Sequence, residues 1–223
     1  MTRTPLAVIV AGAAWAVAAA TALAEPAPLK IDPNHSQVEF TIRHFFSRVQ
    51  GRFNEFAGTI LYDDKNLASS SVNVTIQTRS IFTNQDRRDN DLRSPRFFWA
   101  DSFPTLTFKS TKVIPGEGTK FKVEGNLTIR GATKPVILDA EFLGMGAVGI
   151  EGQSMGTRAG FEATTTIDRK DFGVVWNQTL DQGGTMLGDD VSIHLAIEAV
   201  KAEKPDKAPA PGKSGKLSGG AGN

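Results

Sequence analysis

The sequence contains no cysteine among its 223 residues, and this absence excludes several kinds of site. Disulfide frameworks, thiolate nucleophiles and zinc or iron–sulfur sites built on thiolates all require cysteine. The formal net charge is only +1, whereas a nucleic-acid binder needs a concentrated basic surface. We therefore expect no nucleic-acid partner.

Tyrosine occurs once, whereas phenylalanine occurs 14 times and hydrophobic residues make up 40% of the chain. Aromatic rings without hydroxyl groups are suited to an apolar space rather than to a hydrogen-bonded interface. The hydrophobic share is that of a protein with a packed core, which argues against global disorder.

The first 24 residues have the features of a secretory signal peptide. Arg3 precedes an apolar run over residues 6–20, and the small residues at 22 and 24 suit signal peptidase. We expect cleavage before Glu25 and export to the periplasm. An uncleaved membrane anchor is the alternative, because the run approaches the length of a short membrane span.

Residues 201–223 are rich in lysine, proline and glycine and contain no aromatic residue. Such a segment cannot bury enough apolar surface to offset its ordering entropy, so we expect a disordered tail. Its five lysines outnumber its two acidic residues. Either this tail makes peripheral contact with an anionic membrane, or it is a solvated end.

Residues 25–200, expected to form the single domain, are dominated by alternation of apolar and polar residues. The alternating segments are 38–43, 51–62, 72–77, 106–109, 121–130, 136–142, 158–167 and 191–198. Such alternation is typical of antiparallel sheets with one buried face. The pattern predicts an all-β fold, an eight-stranded antiparallel barrel, because closure removes exposed strand edges. One or two short helical turns are expected within residues 84–100.

The segment from Gly144 to Gly149 matches the dinucleotide-binding pattern G-x-G-x-x-G. That chemistry also requires a helix that begins at the turn and binds the pyrophosphate. Further glycines at 152 and 156 disfavour a helix, so we interpret the segment as a flexible hairpin loop and expect no nucleotide.

No catalytic or metal site is evident from the sequence. The three histidines, His35, His44 and His194, lack the spacing of metal ligands, and neither a Ser-His-Asp set nor a pair of catalytic carboxylates can be defined. We therefore expect no metal, no catalytic residue and no enzyme activity.

Several short strings occur in a characteristic order along residues 29–200. They include Ser36-x-Val38-x-Phe40-x-Ile42-x-His44, Arg88-Asp89-x-x-Leu92, Phe103-Pro104-x-Leu106, Gly125-x-Leu127-Thr128-Ile129-Arg130-Gly131 and Arg169-x-Asp171-Phe172-Gly173. This series resembles the YceI-like family of exported, lipocalin-like bacterial proteins that bind polyisoprenoids. The resemblance implies a lipocalin-like barrel that holds a long isoprenoid or similar lipid and is not an enzyme.

The predicted apolar tunnel is formed by inward-facing aliphatic and aromatic residues, the last three of which close its ends. They are Phe40, Ile42, Phe53, Ile60, Val74, Ile76, Leu106, Phe108, Val123, Leu127, Ile129, Phe97, Phe98 and Trp176. His44, Arg88 and Arg169 are the candidates for contact with a lipid head group. Their alternative roles are core packing and salt bridges within loops.

These observations predict a periplasmic binding or carrier protein for a long-chain lipid. A polyprenyl lipid, a quinone tail or a fatty-acyl amide would serve, since burial contributes about 0.8 kcal/mol per CH₂. We expect no cofactor beyond such an isoprenoid or quinone-type lipid, and either a monomer or a homodimer. The alternative is a stress-related interaction module with a barrel filled by side chains, whose outer surface binds a membrane redox partner.

Overall fold

The described part of the chain contains eleven β-strands, which include the segments of alternating polarity, and one α-helix. The computed structural model describes residues 28–201. The predicted signal peptide lies outside them, as does the predicted tail of residues 201–223 apart from Lys201, which is the last residue of a strand. The strands are β1 Leu29–Ile31, β2 Gln37–His44, β3 Ser47–Phe53, β4 Phe56–Leu61, β5 Ser71–Gln77, β6 Ile81–Phe82, β7 Thr105–Pro115, β8 Lys120–Ile129, β9 Ala132–Ile150, β10 Gln153–Asp168 and β11 Leu187–Lys201, and the helix α1 is Asp86–Arg93. Short 3₁₀ helices cover Leu67–Ser69, Thr78–Ser80 and Arg169–Phe172.

The strands pair antiparallel in one sheet that closes on itself. Strand β1 closes the ring, because it pairs with β4 on one side and with β11 on the other. Three barrel positions are each shared by two segments: β1 with β2, β3 with β4, and β5 with β6. Eleven segments therefore form eight positions, and the predicted eight-stranded antiparallel barrel is confirmed.

One interrupted strand differs from the prediction. The sequence predicts a single strand over residues 51–62, whereas Asn54 and Glu55 separate β3 from β4. The break lets the chain bend, so that β4 pairs with β1 while β3 pairs with β2. Such bends arise because the sheet must close into a barrel, and the local apolar pattern of the sequence does not predict where they occur.

The strands point one of their two faces into the barrel, and most of the buried apolar residues lie on that face. In β8, for example, Phe121, Val123 and Leu127 are buried. Gly125 lies on the same face, and the ring of Phe108 from β7 occupies the position that a Cβ would take. A glycine is used here because a neighbouring aromatic ring lies directly on its backbone.

Helix α1 and the segment that follows it lie at one end of the barrel. The side chain of Gln85 caps the helix by accepting a hydrogen bond from the Arg88 amide at 2.8 Å. Beyond the helix, Phe97 is buried in the hydrophobic core. This single helix agrees with the one or two helical turns expected. Within residues 28–201, no helix has both the length and the apolar character needed to span a bilayer.

The interpretation of Gly144–Gly149 as a loop is wrong. These residues belong to β9, and the turn to β10 lies at Glu151 and Gly152, both of which have positive φ angles. Pairing with β10, for example Met145 with Ala159, keeps this glycine-rich segment extended.

Candidate functional site

The barrel encloses an apolar cavity of about 390 Å³, within the usual range for small-molecule sites. Along β11, Val191, Ile193, Leu195 and Ile197 line this cavity but are only half-buried. They keep accessible surface because no other side chain of residues 28–201 fills the space in front of them. A barrel filled by its own side chains, as the alternative function requires, is therefore not what the structure shows.

The fourteen predicted tunnel residues all line this cavity. They are Phe40 and Ile42 of β2, Phe53 of β3, Ile60 of β4, Val74 and Ile76 of β5, Leu106 and Phe108 of β7, Val123, Leu127 and Ile129 of β8, and Phe97, Phe98 and Trp176 from the connecting segments. The strands bring them together because every second side chain points to the same face. That they contact a ligand stays a prediction.

Sequence reasoning did not select several cavity residues of β9, β10 and β11. Leu138, Phe161, Ile193 and Leu195 line the cavity as fully as the selected residues do. Their signal was present, since each belongs to a segment whose alternation was recognised.

Aromatic rings lie at both ends of the cavity. At the α1 end, the Phe97 and Trp176 ring centroids are 5.2 Å apart, and the Arg96 guanidinium lies 4.3 Å from the Trp176 ring. At the other end, Tyr62 stacks on Phe142 with 4.7 Å between centroids. Tyr62, the single tyrosine of the chain, thus helps to close this end of the cavity, which its sequence position did not indicate.

Arg88 lies at the cavity wall with part of its guanidinium group free. Its Nε donates to Thr83 Oγ1 and its Nη2 to the Thr83 carbonyl, both at 2.7 Å. Asp89 is buried and accepts from the Thr83 amide at 2.9 Å, which fixes that residue in place. Within the described residues Arg88 forms no ion pair, and its Nη1 has no hydrogen-bond partner. This geometry suits contact with a polar head group.

Arg169 also lines the cavity, but its guanidinium is engaged by the protein. It is only 5% exposed. Its groups donate to the carbonyl oxygens of Gly188, Val174 and Trp176 at 2.8, 2.5 and 2.9 Å, and to Asp189 Oδ1 at 3.1 Å. These bonds use four of its five N–H groups. The structure therefore favours the alternative role, in which Arg169 anchors the loop after β10.

Asp189 is held by two cations. A hydrogen bond from Lys170 Nζ at 2.7 Å, and secondarily the Arg169 guanidinium, keep the pKa of Asp189 below its usual range. The carboxylate is therefore ionised at neutral pH and completes the anchor around Arg169.

His44 is half-buried at the end of β2 and lines the cavity. Its ring contacts that of Phe45 edge-on, with 4.4 Å between centroids. Because no hydrogen bond to another described side chain holds its ring, His44 remains a candidate for contact with a head group.

Asp32, His35 and Glu198 bring three potential metal ligands together near the β1–β2 connection. However, Arg158 donates to both carboxylates, at 3.1 Å to Asp32. A hydrogen bond from His35 at 2.9 Å, together with that from Arg158, lowers the pKa of Asp32. Because a guanidinium already occupies this cluster, its role is to tie the connection to β10 and β11.

Comparison with known proteins agrees with this architecture. Residues 29–199 match the YceI-like domain family. The Protein YceI of Salmonella arizonae is 41% identical over 184 residues, which cover 81% of this chain and 91% of that protein. The structure of BcnA from Burkholderia cenocepacia superposes with a TM-score of 0.67 at 24% identity, covering 76% and 99% of the two chains.

A second solved structure is a polyisoprenoid-binding domain from Saccharophagus degradans, implicated in plant cell wall breakdown. It superposes with a TM-score of 0.53 at 13% identity, covering 80% of this chain and all of that one. At such low sequence identities, these two structures show only that the barrel fold is shared. The family match covers nearly all of the described residues, and the chain therefore belongs to the YceI-like family.

Proposed function

We propose that this protein binds a long-chain lipid inside its barrel and carries it through the periplasm. The observation that carries the proposal is an almost entirely apolar cavity that the side chains of the described part of the chain leave unfilled. Burial of each CH₂ contributes about 0.8 kcal/mol, so a long chain binds there without charged contacts. The periplasmic location rests on the predicted signal peptide.

The ligand we propose is a polyprenyl lipid or quinone tail, with a fatty-acyl amide as a further amphiphile of the same shape. An apolar wall with one partly free cation, Arg88, suits a molecule with a long apolar body and a small polar end. The polyisoprenoid-binding domain of Saccharophagus degradans has the same barrel, which supports this ligand class.

The test is recovery of lipid from the purified protein, residues 25–223. The protein is denatured, extracted with organic solvent and analysed by mass spectrometry, and its uptake of added polyprenyl chains is measured. We expect a long-chain lipid in the extract. Repeated absence of lipid, together with no uptake, would overturn the proposal.

A matched pair of variants on β11 makes the test specific for the cavity. Leu195→Trp places an indole ring in the cavity, whereas His194→Trp places the same ring on the outer face. We expect the first variant to lose bound lipid and the second to keep it, with circular dichroism confirming that both fold. Equal lipid content in the two variants would contradict a ligand inside the barrel.

A further inference from the structure

The turn between β2 and β3 exposes two adjacent aromatic residues. Phe46 is fully exposed and Phe45 is partly exposed with a φ of 49°. Turns of this kind normally use Gly, Asn or Asp, because these residues tolerate positive φ and hydrogen-bond to water or backbone. Phe46 buries none of its side chain on folding and Phe45 only part of its ring, which indicates a role in contact with an apolar partner.

Two arginines flank the same turn and face each other across the strands. Arg43 of β2 is directly opposite Arg48 of β3. Like charges in this arrangement destabilise a sheet, and within residues 28–201 neither arginine forms an ion pair. Arg43 donates to the carbonyl oxygens of Phe45 and Thr185 at 3.1 and 3.3 Å, so its charge is held beside the aromatic tip.

The turn lies next to one end of the cavity. His44, the residue before the aromatic pair, lines the cavity, as do Met186 and Leu187. The Phe45 amide donates to the Met186 carbonyl at 2.8 Å, and His44 is paired with Leu187. The loop that contains Met186 also exposes Val175, which is 61% accessible. Exposed apolar side chains of two neighbouring segments, Phe45 and Phe46 on one and Val175 on the other, therefore lie beside this end of the cavity.

We propose that Arg43, Phe45, Phe46 and Arg48 form a docking tip that places this end of the cavity against an anionic lipid bilayer. The proposal rests on the proposed function, because a carrier must exchange its lipid with a membrane. Aromatic rings beside cationic side chains are the combination that binds the interface of anionic membranes. The rings enter the apolar boundary while the two unpaired arginines meet lipid phosphates.

The turn between β9 and β10 is the natural comparison. Its strands also expose apolar residues, among them Leu143, Met145 and Ile150. Yet the only charged residue in the segment 142–157 is Glu151. That hairpin lacks the positive charge that an anionic surface requires, so it supplies a control with similar apolar exposure.

The test is co-sedimentation of residues 25–223 with vesicles of phosphatidylcholine, with and without phosphatidylglycerol. We expect binding that depends on the anionic lipid and weakens with salt. Arg48→Gln should reduce it about fivefold, since one cation contributes about 1 kcal/mol at such a surface. Phe46→Ser should reduce it about tenfold or more. Ile150→Ser should leave it unchanged.

Every variant carries the same C-terminal tail, so any difference in vesicle binding between the variants comes from the substituted residue and not from the tail. If neither Phe46→Ser nor Arg48→Gln weakens binding, the tip is not the docking surface and the proposal fails. Loss of a dimer in Phe46→Ser, with no vesicle binding by the unsubstituted protein, would assign the tip to a second copy instead. The lipid content of each variant is measured in parallel, so that failure of docking and failure of lipid carriage are distinguished.

Discussion

Substitution of Arg169 tests whether this residue anchors the fold or serves the ligand. Arg169→Met retains a flexible apolar side chain but removes four hydrogen bonds. The carbonyl oxygens of Gly188, Val174 and Trp176 then lose their donor, and each buried acceptor left unpaired costs about 1–3 kcal/mol. Asp189 is 41% exposed, so water can solvate its charge in Arg169→Met, and the lost bond to Asp189 contributes little to the loss of stability.

We expect a loss of about 4 kcal/mol in the free energy of unfolding for Arg169→Met, in the lower part of the range that three unpaired carbonyl acceptors give. This loss corresponds to a fall in Tm of about 8–16 °C for a chain of this size. Urea unfolding followed by circular dichroism measures the change, and Arg169→Lys, which keeps the charge without the planar fork, should recover only part of it. A loss below about 1 kcal/mol, combined with lost lipid binding, would refute the anchor role and restore the head-group role.

Three further predictions concern burial and charge. Burial raises the pKa of Tyr62; because it is the only tyrosine, absorbance at 295 nm should show a titration midpoint above that of the unfolded chain, and equal midpoints would contradict its burial. The pKa of Asp32 is lowered, chiefly by the hydrogen bond with His35, so its stabilisation is present above the unfolded pKa of about 3.9 and is lost as pH falls below it. The Tm of the unsubstituted protein should therefore fall more steeply below about pH 4 than that of Asp32→Asn, and parallel curves would count against this. Gly125→Val should cost about 1–3 kcal/mol, because the Phe108 ring occupies the space of the new side chain; unchanged urea unfolding would contradict the close contact.

The barrel and its lining could be predicted because they depend on local periodicity. Alternation assigns each side chain to a face whatever the distant partner is. Residues such as Phe40, Val74 and Leu127 could therefore be placed in the cavity without any knowledge of pairing. The break at Asn54 and the two-residue strand β6 could not, because they follow from closure of the whole sheet.

The polar part of the site was less predictable, since it depends on contacts between distant segments. The sequence shows Arg169 in a mixed-charge cluster, but the carbonyl groups that engage it come from Val174, Trp176 and Gly188 in the folded loops. Likewise, Tyr62 closes one end of the cavity through contact with Phe142 of β9. Neither partner is marked by a pattern near the residue it contacts.

Affinity as a function of chain length tests most directly whether the apolar cavity is the ligand site. Polyprenyl alcohols of increasing length are titrated into the protein, and fluorescence of the cavity residue Trp176 reports binding in a Trp99→Phe background. Because burial contributes about 0.8 kcal/mol per CH₂, the five carbons of each added isoprene unit should lower Kd by up to about a thousandfold, and Kd should level off once the cavity is full. In Leu195→Phe, whose ring occupies part of the cavity and adds no further tryptophan, this plateau should occur at a shorter chain. A Kd that does not change with chain length would contradict lipid binding in the barrel.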